Sequence, residues 1–259
     1  MKQVRAKKHL GQHFLKDQEI ARRIAESFPL REAMAVLEIG PGMGVLTRYL
    51  LQNPLINLKA VEIDADSVAY LHKQFPQLEV IEGDFLEMDL NKLYDDKFCV
   101  IGNFPYNISS QILFKVLDYK DKIPYIAGML QKEVAERIAS KPGKKAYGIL
   151  SVFMQAYYNV EYLFTVSKEV FDPPPKVMSA VIRFTRNEVK ELDCNEKLFR
   201  TVVKTAFNQR RKTLRNSLKP LVPKGNEIYN ESIFGKRPEQ LDVKSFVYLT
   251  NLVAKALSD

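Results

Sequence analysis

The stretch Ala35-Val36-Leu37-Glu38-Ile39-Gly40-Pro41-Gly42-Met43-Gly44 decides the fold class of this chain. An apolar strand runs into glycines at alternate positions, and residues 45–51 continue with the composition of a helix. Glycines in such a turn let the backbone approach a ligand at the N-terminus of the following helix. The stretch therefore predicts a strand, a glycine turn and a helix of a ligand-binding α/β fold.

The spacing of these glycines distinguishes between two classes of ligand. Val45 occupies the last glycine position of the Gly-x-Gly-x-x-Gly pattern that binds dinucleotide pyrophosphates, so a dinucleotide is disfavoured. S-adenosylmethionine has no phosphate, and it suits a strand that carries an acid, Glu38, two residues before the first glycine. We therefore predict that Glu38, Gly40 and Gly42 bind S-adenosylmethionine.

Three further apolar runs end in side chains suited to a nucleoside or a base. Glu62 can accept hydrogen bonds from both ribose hydroxyls, Asp84 can accept one from an adenine amine, and Phe85 can pack on the purine. The carboxyl ends of parallel strands share one edge of a sheet, so these side chains should lie close together. The runs are residues 58–61 before Glu62, 78–81 before Asp84, and 98–101 before Asn103.

The fourth strand end continues as Asn103-Phe104-Pro105-Tyr106, a turn suited to holding an exocyclic amine on a flat ring. The Asn103 side-chain oxygen and the Phe104 carbonyl can both accept hydrogen bonds from one NH2 group. Pro105 has a fixed φ and no N–H, which makes the turn stiff, and Tyr106 offers a ring face for stacking. An ordinary strand-ending turn could have the same composition. The preceding cofactor pattern favours these four residues as the catalytic turn of an enzyme that methylates a nucleobase amino group.

A set of motifs from residue 8 to residue 218 forms one family pattern. They are residues 8–15, 38–42, 102–109, 129–137, 145–148, 171–177 and 206–218. Together they resemble the small-subunit (16S) ribosomal RNA adenine dimethyltransferase family over nearly the whole chain. Two positions depart from the family pattern: Phe104 stands where Leu is more frequent, and Met178 stands where Asp is usual.

The resemblance implies a fold, a reaction and a partner. The fold is a Rossmann-like class I S-adenosylmethionine-dependent methyltransferase domain, followed by a small all-helical C-terminal domain. The reaction is N6-dimethylation of two adjacent adenosines in the 3′-terminal hairpin loop of 16S rRNA, and the partner is the immature 30S subunit.

The resemblance also implies roles for residues outside the strand ends. Gln12, His13 and Leu15 belong to an N-terminal motif that folds over the cofactor, together with Asn103 from the catalytic turn. Phe171, followed by a Pro-rich extended loop, closes over the flipped base. The RNA-contacting cations are Arg210, Arg211, Lys212 and Arg215.

The charge distribution agrees with an RNA substrate. The formal net charge is +8, with five basic residues and no acid in residues 1–16, −3 over residues 17–185 and +6 over residues 186–259. Basic ends around a near-neutral core predict a polyanionic partner that is bound through its backbone. Residues 199–219 carry seven cations and no acid. A solvated helix face would be the alternative explanation.

The order of strand and helix patterns predicts two domains, and the absence of targeting signals predicts a cytoplasmic protein. Strand and helix patterns alternate up to a last strand over residues 180–184, and helical spacing follows, so we predict a catalytic domain over 1–186 and a helical RNA-binding domain over 187–259. No apolar run reaches the roughly 18 residues needed to span a membrane, and no secretion signal is present. Cys99 and Cys194 lack metal-site spacing. We therefore expect no metal and no membrane partner, and a monomer.

Three other functions remain open from the sequence. A large-subunit (23S) rRNA adenine methyltransferase of the macrolide-resistance type shares the front half of the pattern, but Tyr106 and the basic C-terminal motif favour the small-subunit enzyme. A DNA adenine methyltransferase is disfavoured because no additional target-recognition domain is present. A 30S assembly factor whose binding role outweighs catalysis would need the same basic surfaces.

Overall fold

A computed structural model of the protein describes residues 4–258, so Met1, Lys2 and Gln3 of the basic N-terminal segment and Asp259 lie outside it. The strands are β1 (Phe14–Leu15), β2 (Met34–Ile39), β3 (Ile56–Glu62), β4 (Glu79–Glu82), β5 (Phe98–Asn103), β6 (Tyr125–Gln131), β7 (Tyr158–Val166), β8 (Phe171–Asp172) and β9 (Ser179–Arg186). The α-helices are α1 (Gln18–Ala25), α2 (Thr47–Leu50), α3 (Ala65–Gln74), α4 (Ser109–Asp118), α5 (Lys132–Ala139), α6 (Ile149–Tyr157), α7 (Glu196–Asn208), α8 (Leu214–Ser217) and α9 (Val243–Ser258). Short 3₁₀ turns cover Lys8–Leu10, Leu90–Lys92, Lys168–Val170, Glu227–Asn230, Ser232–Gly235 and Pro238–Gln240.

Seven strands form one sheet in the order β4-β3-β2-β5-β6-β9-β7. Strands β2 to β6 pair in parallel, while β9 runs antiparallel to β6. Because β2 lies between β3 and β5, with Glu38 opposite Ala60 and Ile101, the three strands end side by side. The predicted α/β fold is confirmed, and its carboxyl edge collects the predicted strand ends.

The central strands are apolar on both faces, as expected for parallel strands covered by helices. Val36 and Leu37 of β2 are fully buried, and so is the run from Phe98 to Ile101 in β5, including Cys99. A small second sheet pairs β1 with β8, in which Leu15 lies opposite Phe171. That pairing fixes the N-terminal segment beside the main sheet.

The chain forms two compact units, and one segment departs from the predicted boundary. The first unit contains the described residues up to Ala135 together with Asn159–Arg186, and the second contains Glu136–Tyr158 with the residues from Asn187 onward. The last of the three passages between the units follows Arg186, where the sequence analysis placed the end of the catalytic domain, whereas Glu136–Tyr158 was predicted to belong to the catalytic domain.

Aromatic packing explains why this segment belongs to the second unit. The Phe153 ring of α6 lies 6.0 Å from that of Phe199, and the Tyr147 ring lies 6.4 Å from that of Phe207, measured between centroids. Every regular element between Asn187 and Ser258 is helical, as the sequence predicted. None of the helices in the described part of the chain is long and apolar enough to cross a membrane.

Candidate active site

A cavity of about 260 Å³ opens at the carboxyl edge of the first unit's sheet. Its wall is built from the glycine turn after β2, the ends of β3 and β5, the turn after β4 and the segment around β1. All residues predicted to bind the cofactor or to form the catalytic turn line this one cavity. They are Gln12, His13, Leu15, Glu38, Gly40, Gly42, Glu62, Asp84, Phe85, Asn103, Phe104, Pro105 and Tyr106.

The Glu62 carboxylate is held by the backbone at the end of β3. Its Oε2 accepts a hydrogen bond from the Gly42 N–H at 3.0 Å, and its Oε1 accepts one from the Asp64 N–H at 2.9 Å. Burial raises the pKa of Glu62, and these backbone donors offset part of that shift. Each carboxylate oxygen still has a second lone pair, so Glu62 can accept two more hydrogen bonds at the cavity wall.

Glu38 is fully buried at the end of β2, and only one of its oxygens has a partner. Its Oε2 accepts a hydrogen bond from Thr47 Oγ1 at 2.7 Å, while Oε1 is buried without a hydrogen-bond partner among the described residues. Burial raises the pKa of Glu38 to about 8, the Thr47 hydroxyl opposes that shift, and nearby Glu62 adds to it. A buried polar atom without a partner is costly, so Oε1 is suited to a donor or cation that enters the cavity.

Three glycines of the turn after β2 have left-handed backbone conformations, with φ of 63° at Gly40, 56° at Gly42 and 73° at Gly44. A Cβ atom on Gly42 would lie 2.9 Å from the Phe14 ring, so the absence of a side chain lets Phe14 pack against the turn. A Cβ atom on Gly40 would meet nothing within 4 Å. Gly40 therefore leaves open space on the cavity wall, where a ligand can approach the backbone.

Lys115 of α4 holds the turn that carries Asp84 and Phe85 in place. The Lys115 ammonium donates to the Leu86 carbonyl at 2.8 Å and to the Met88 carbonyl, and it lies 5.5 Å from the centroid of the Phe85 ring. One Asp84 oxygen accepts the Leu86 N–H at 2.8 Å. These contacts hold a carboxylate and an apolar ring side by side, an arrangement suited to the edge and face of a purine.

The orientation of the Asn103 side-chain amide is determined by a neighbouring carbonyl. Its Nδ2 donates to the His13 main-chain oxygen at 3.0 Å. A carbonyl oxygen can only accept, so the amide nitrogen must point towards His13 and Oδ1 remains an available acceptor. Within the described residues no donor is bonded to the Phe104 carbonyl, which gives the turn a second available acceptor.

The Phe104 side chain is buried beneath the catalytic turn and occupies space left by two glycines. Gly102 of β5 lies opposite Gly128 of β6. A Cβ atom on Gly128 would lie 2.4 Å from Phe104 Cε2, and one on Gly102 would lie 2.6 Å from the Ile39 carbonyl oxygen. The Phe104 N–H donates to the Met129 carbonyl at 3.2 Å. The ring and this hydrogen bond together anchor the turn to β6.

Tyr106 is fixed at its hydroxyl and on one ring face. Its hydroxyl is hydrogen-bonded to the hydroxyl of Ser179, a fully buried residue at the start of β9. The His13 ring stacks on Tyr106 with 5.5 Å between centroids and 28° between planes, while His13 Nδ1 lies 2.8 Å from the Pro173 carbonyl. No local pattern in the sequence indicates that Ser179 is part of this site.

Phe171 does not lie where the base-closing role requires. Its side chain is 1% exposed, it packs in the apolar core with Leu15, and it is not part of the cavity wall. The strand pairing between β1 and β8 turns the ring inward. The expected direct contact with a flipped base is therefore not present in this structure, and Phe171 supports the segment around β1.

The predicted RNA-contacting cations belong to the second unit and differ in their surroundings. Arg210 donates to the Lys145 carbonyl, and Arg215 donates to the Tyr229 carbonyl at 2.6 Å, so both have structural hydrogen bonds. Arg211 and Lys212 are exposed in the turn between α7 and α8. Arg210 thus joins two motifs that the sequence separates by more than sixty residues.

Metal-ligand geometry is not found in residues 4–258, where no group of three or more His, Cys, Asp and Glu side chains could hold an ion.

Sequence comparison gives this chain close relatives. The family described as ribosomal RNA adenine dimethylase matches residues 3–255. A Parabacteroides distasonis protein named ribosomal RNA small subunit methyltransferase A is 62% identical over 259 residues, which cover 99% of this chain and 97% of that protein. A Bacteroides thetaiotaomicron protein with the same name is 60% identical over 260 residues, covering 99% and 97%.

Solved structures with the same fold include two at lower identity. A dimethyladenosine transferase from Plasmodium falciparum is 27% identical, with a TM-score of 0.80 over 94% of this chain and 98% of that one. The 23S rRNA methyltransferase ErmE is 26% identical, with a TM-score of 0.69 over 93% of this chain and 99% of that one. The similarity extends over both units in each case.

Proposed function

The chain belongs to the ribosomal RNA adenine dimethylase family, and on that basis we propose that it methylates N6 of adenosines in small-subunit ribosomal RNA. It is an rRNA adenine dimethyltransferase that uses S-adenosyl-L-methionine. The observation that carries the proposal is the hydrogen bond from Asn103 Nδ2 to the His13 carbonyl, because it leaves the Asn103 oxygen available to an amine.

The cavity fits S-adenosyl-L-methionine in its polar groups and in its open space. The unpartnered Glu38 Oε1 is suited to the positively charged methionine end of the cofactor. Glu62 would accept from the ribose hydroxyls, and Asp84 and Phe85 would hold the edge and face of the adenine. The open space at Gly40 allows the ligand to approach the backbone of the turn. The cofactor supplies a methyl group that is already activated by its sulfonium.

The catalytic turn would act by orienting the amine of the target base. The N6 lone pair of adenine is delocalised into the ring, so it is a poor nucleophile in the planar ground state. Hydrogen bonds from N6–H to Asn103 Oδ1 and to the Phe104 carbonyl would favour a geometry in which the lone pair points out of the ring plane. The chemical contribution of these residues is positioning and electrostatic stabilisation of charge that develops on nitrogen.

The aromatic residue of the turn would offset the cost of removing the base from its stack. Enzymes that modify a base in structured nucleic acid extrude it into a pocket and read it there. Tyr106 has its hydroxyl hydrogen-bonded to Ser179 and one ring face covered by His13, and it lines the cavity, where it would stack on the adenine. The turn holds no strong base, and the methylated nitrogen is acidic enough to release its proton to water.

A second methyl transfer fits the same pair of acceptors. A monomethylated amine retains one N–H, and either Asn103 Oδ1 or the Phe104 carbonyl can accept it. We propose that the targets are two adjacent adenosines in the 3′-terminal hairpin loop of 16S rRNA. The partner would be the immature 30S subunit, which the enzyme binds as a monomer, without a metal, in the cytoplasm.

The test is transfer of labelled methyl groups from S-adenosyl-L-methionine to small subunits from cells that lack this modification. Intact large subunits and protein-free RNA serve as parallel substrates. N6,N6-dimethyladenosine in small-subunit RNA is the expected product. Label confined to large-subunit RNA would instead indicate the 23S activity of the ErmE type.

The Asn103→Ala variant separates catalysis from binding to the subunit. We expect it to retain cofactor and 30S binding while the turnover number falls by about two orders of magnitude or more, as for the removal of an oriented transition-state hydrogen bond. Wild-type protein that binds both cofactor and 30S but transfers no label to any substrate would contradict the proposed reaction and favour an assembly factor.

A further inference from the structure

Asp64 is a buried carboxylate beside the cavity that the mechanism above does not use. It is 2% exposed, it lies two residues after Glu62, and it is not part of the cavity wall. Its oxygens accept hydrogen bonds from the Asp66 N–H at 3.2 Å and from the Ser67 hydroxyl at 3.1 Å, so it caps α3. These two contacts account for its structural role in the helix.

Two further contacts of Asp64 come from the N-terminal strap, defined here as residues 7–15. The Lys7 ammonium is hydrogen-bonded to Asp64 and lies 2.7 Å from Asp66, and Gln12 Nε2 donates to Asp64 Oδ2 at 3.1 Å. Gln12 Oε1 accepts the Lys7 N–H at 2.8 Å, which closes this part of the strap into a loop. Burial alone would raise the pKa of Asp64, but the Lys7 and Gln12 donors hold it below its usual value.

The following residues of the strap contact the catalytic turn. The His13 carbonyl accepts the Asn103 amide at 3.0 Å, and the His13 ring stacks on Tyr106. A Cβ atom on Gly11, where φ is 65°, would lie 2.6 Å from Asn107 Oδ1, so the strap passes close to the residue that follows the turn. One peptide segment therefore connects Asp64 to Asn103.

We propose that Asp64 is a positioning residue for methyl transfer, a role that rests on the proposed function. It holds the strap in place so that the His13 carbonyl selects one of the two orientations of the Asn103 amide. A rotation of 180° about the last side-chain bond would exchange oxygen for NH2 and present a donor to the donor amine of the substrate. A displaced strap thus removes the acceptor without altering the catalytic turn itself.

The decisive variant is Asp64→Asn, which keeps a side-chain oxygen for capping α3 but loses the charge that attracts Lys7. At saturating cofactor and RNA, we expect its kcat to fall by about tenfold or more, since the loss of an oriented hydrogen-bonding group costs at least that much. In an Asn103→Ala background the same substitution should lower kcat by less than about twofold, because the amide that the strap orients is absent. An equal fold-loss in both backgrounds would overturn the proposal.

A measurement without cofactor or RNA tests the strap independently of activity. Hydrogen–deuterium exchange should become faster in the peptide covering residues 8–15 in Asp64→Asn, and also in Gln12→Ala, which cuts the same link without touching α3. Glu79→Gln is the matched control, because it removes an acid from an exposed ion pair with Lys59 elsewhere in the first unit. Exchange at wild-type rates in both strap variants would overturn the proposal.

These readouts distinguish failure of the inference from failure of the proposed function. Absence of methyl transfer by the wild-type protein would contradict the proposed function, whereas the exchange experiment would still report whether Asp64 holds the strap. Faster exchange in both strap variants, together with a kcat loss that requires Asn103, supports the proposal.

Discussion

At the scale of single residues, the site contains two buried carboxyl groups, Glu62 and Glu38, that differ in their hydrogen-bond partners. Glu62 receives two backbone N–H donors, whereas Glu38 receives one hydroxyl and leaves Oε1 without a partner. Burial raises the pKa of Glu38 to about 8, so in the cofactor-free protein the Glu38 side chain is mainly the neutral acid near neutral pH. A cation in the cavity would favour the carboxylate, so ligand binding and proton release are linked at this residue.

Glu38→Gln should therefore change how cofactor affinity depends on pH. The proposed pairing of Glu38 with the cationic end of the cofactor requires the ionised carboxylate, so affinity should rise between about pH 6.5 and 8.5, by up to about tenfold per pH unit below the pKa. The glutamine variant should bind more weakly at pH 8.5 and show a flatter profile. Calorimetric titration in buffers of different ionisation enthalpy measures both affinity and proton release. The ligand's own titration is common to both proteins, and identical profiles would contradict the assignment.

The same residue has a predictable effect on the stability of the cofactor-free protein. The folded-state pKa lies above the unfolded value of 4.5, so the protonated form stabilises the fold. The contribution of the neutral acid is complete below about pH 4.5 and is lost as pH rises through about 8. Thermal denaturation should show this decline in the wild type and a smaller one in Glu38→Gln.

The hydrogen bond between the hydroxyls of Tyr106 and Ser179 can be tested by removing either partner. A buried hydrogen bond is worth about 1 kcal/mol, so its removal should lower kcat/KM for RNA by about fivefold, through a higher KM, a lower kcat or both. Ser179→Ala and Tyr106→Phe should each show this loss in steady-state kinetics. The double variant should lose no more than the worse single variant, since both remove the same bond. Losses that multiply would show that Ser179 acts by another route.

At the scale of secondary-structure elements, the site depends on the register between β5 and β6. The apolar runs in the sequence predicted the central strands to within two residues, because parallel strands buried on both faces read as uninterrupted hydrophobic stretches. The polar strand ends followed from that assignment. What the sequence could not supply was the pairing of Gly102 with Gly128, since a cross-strand partner is set by register and not by local composition.

The N-terminal strap and Phe171 show the same limitation. The Asp64 contact with Lys7 joins residues that are 57 positions apart, and β1 pairs with β8 across more than 150 positions. Neither pairing leaves a periodic signal in the sequence. The only local signal is at Asp64, which lies directly before α3, where a helix-capping residue is expected. That signal indicates a cap and not a contact with the strap. The inward orientation of Phe171 follows from the same strand pairing.

Gly128→Ala tests the role of the cross-strand pair Gly102 and Gly128. The added methyl group would meet the Phe104 ring at 2.4 Å, so either β6 or the catalytic turn must shift. We expect a loss of stability of about 1–3 kcal/mol, as for overpacking of a core, together with a lower kcat. Phe104→Leu in the same chain should recover part of both losses because the smaller side chain makes room. Thermal unfolding and steady-state kinetics provide the measurements.

Gly235→Ala is the control for the substitution itself. A Cβ atom there would meet nothing within 4 Å, and Gly235 is not in a left-handed conformation, so stability and kcat should remain near wild-type values. Equal stability losses in Gly128→Ala with and without Phe104→Leu would show that the clash lies elsewhere than at the catalytic turn.

At the scale of the whole molecule, the chemistry and the excess of positive charge are found in different parts of the chain. The cavity belongs entirely to the first unit, whereas residues from Asn187 onward carry five more basic than acidic side chains. The charges in the sequence indicate this separation of cavity and excess charge. Glu136–Tyr158, however, was predicted to belong to the catalytic domain, and it belongs to the second unit. That assignment depends on aromatic packing between α6 and α7, and the sequence alone does not specify which helix faces meet.

Arg211→Gln together with Lys212→Gln tests whether the second unit binds RNA through phosphates. Both cations are exposed, and counterion release on binding makes affinity for RNA fall steeply with salt. The double variant should bind small-subunit RNA more weakly, and the slope of log affinity against log salt should decrease by about 1 for each lost phosphate contact. Fluorescence titration over a range of salt concentrations measures that slope. At saturating RNA, kcat should stay near the wild-type value, because neither residue belongs to the cavity.

The matched control removes the same charge from the same unit at other positions. Lys224→Gln together with Lys255→Gln changes two exposed cations, one in a loop and one on α9, that lie outside the predicted RNA-binding motif. If the effect depends on specific phosphate contacts, this variant should retain most of the wild-type salt slope. Equal slope changes in the two double variants would show that the second unit attracts RNA through its overall charge, and that Arg211 and Lys212 make no contact of their own.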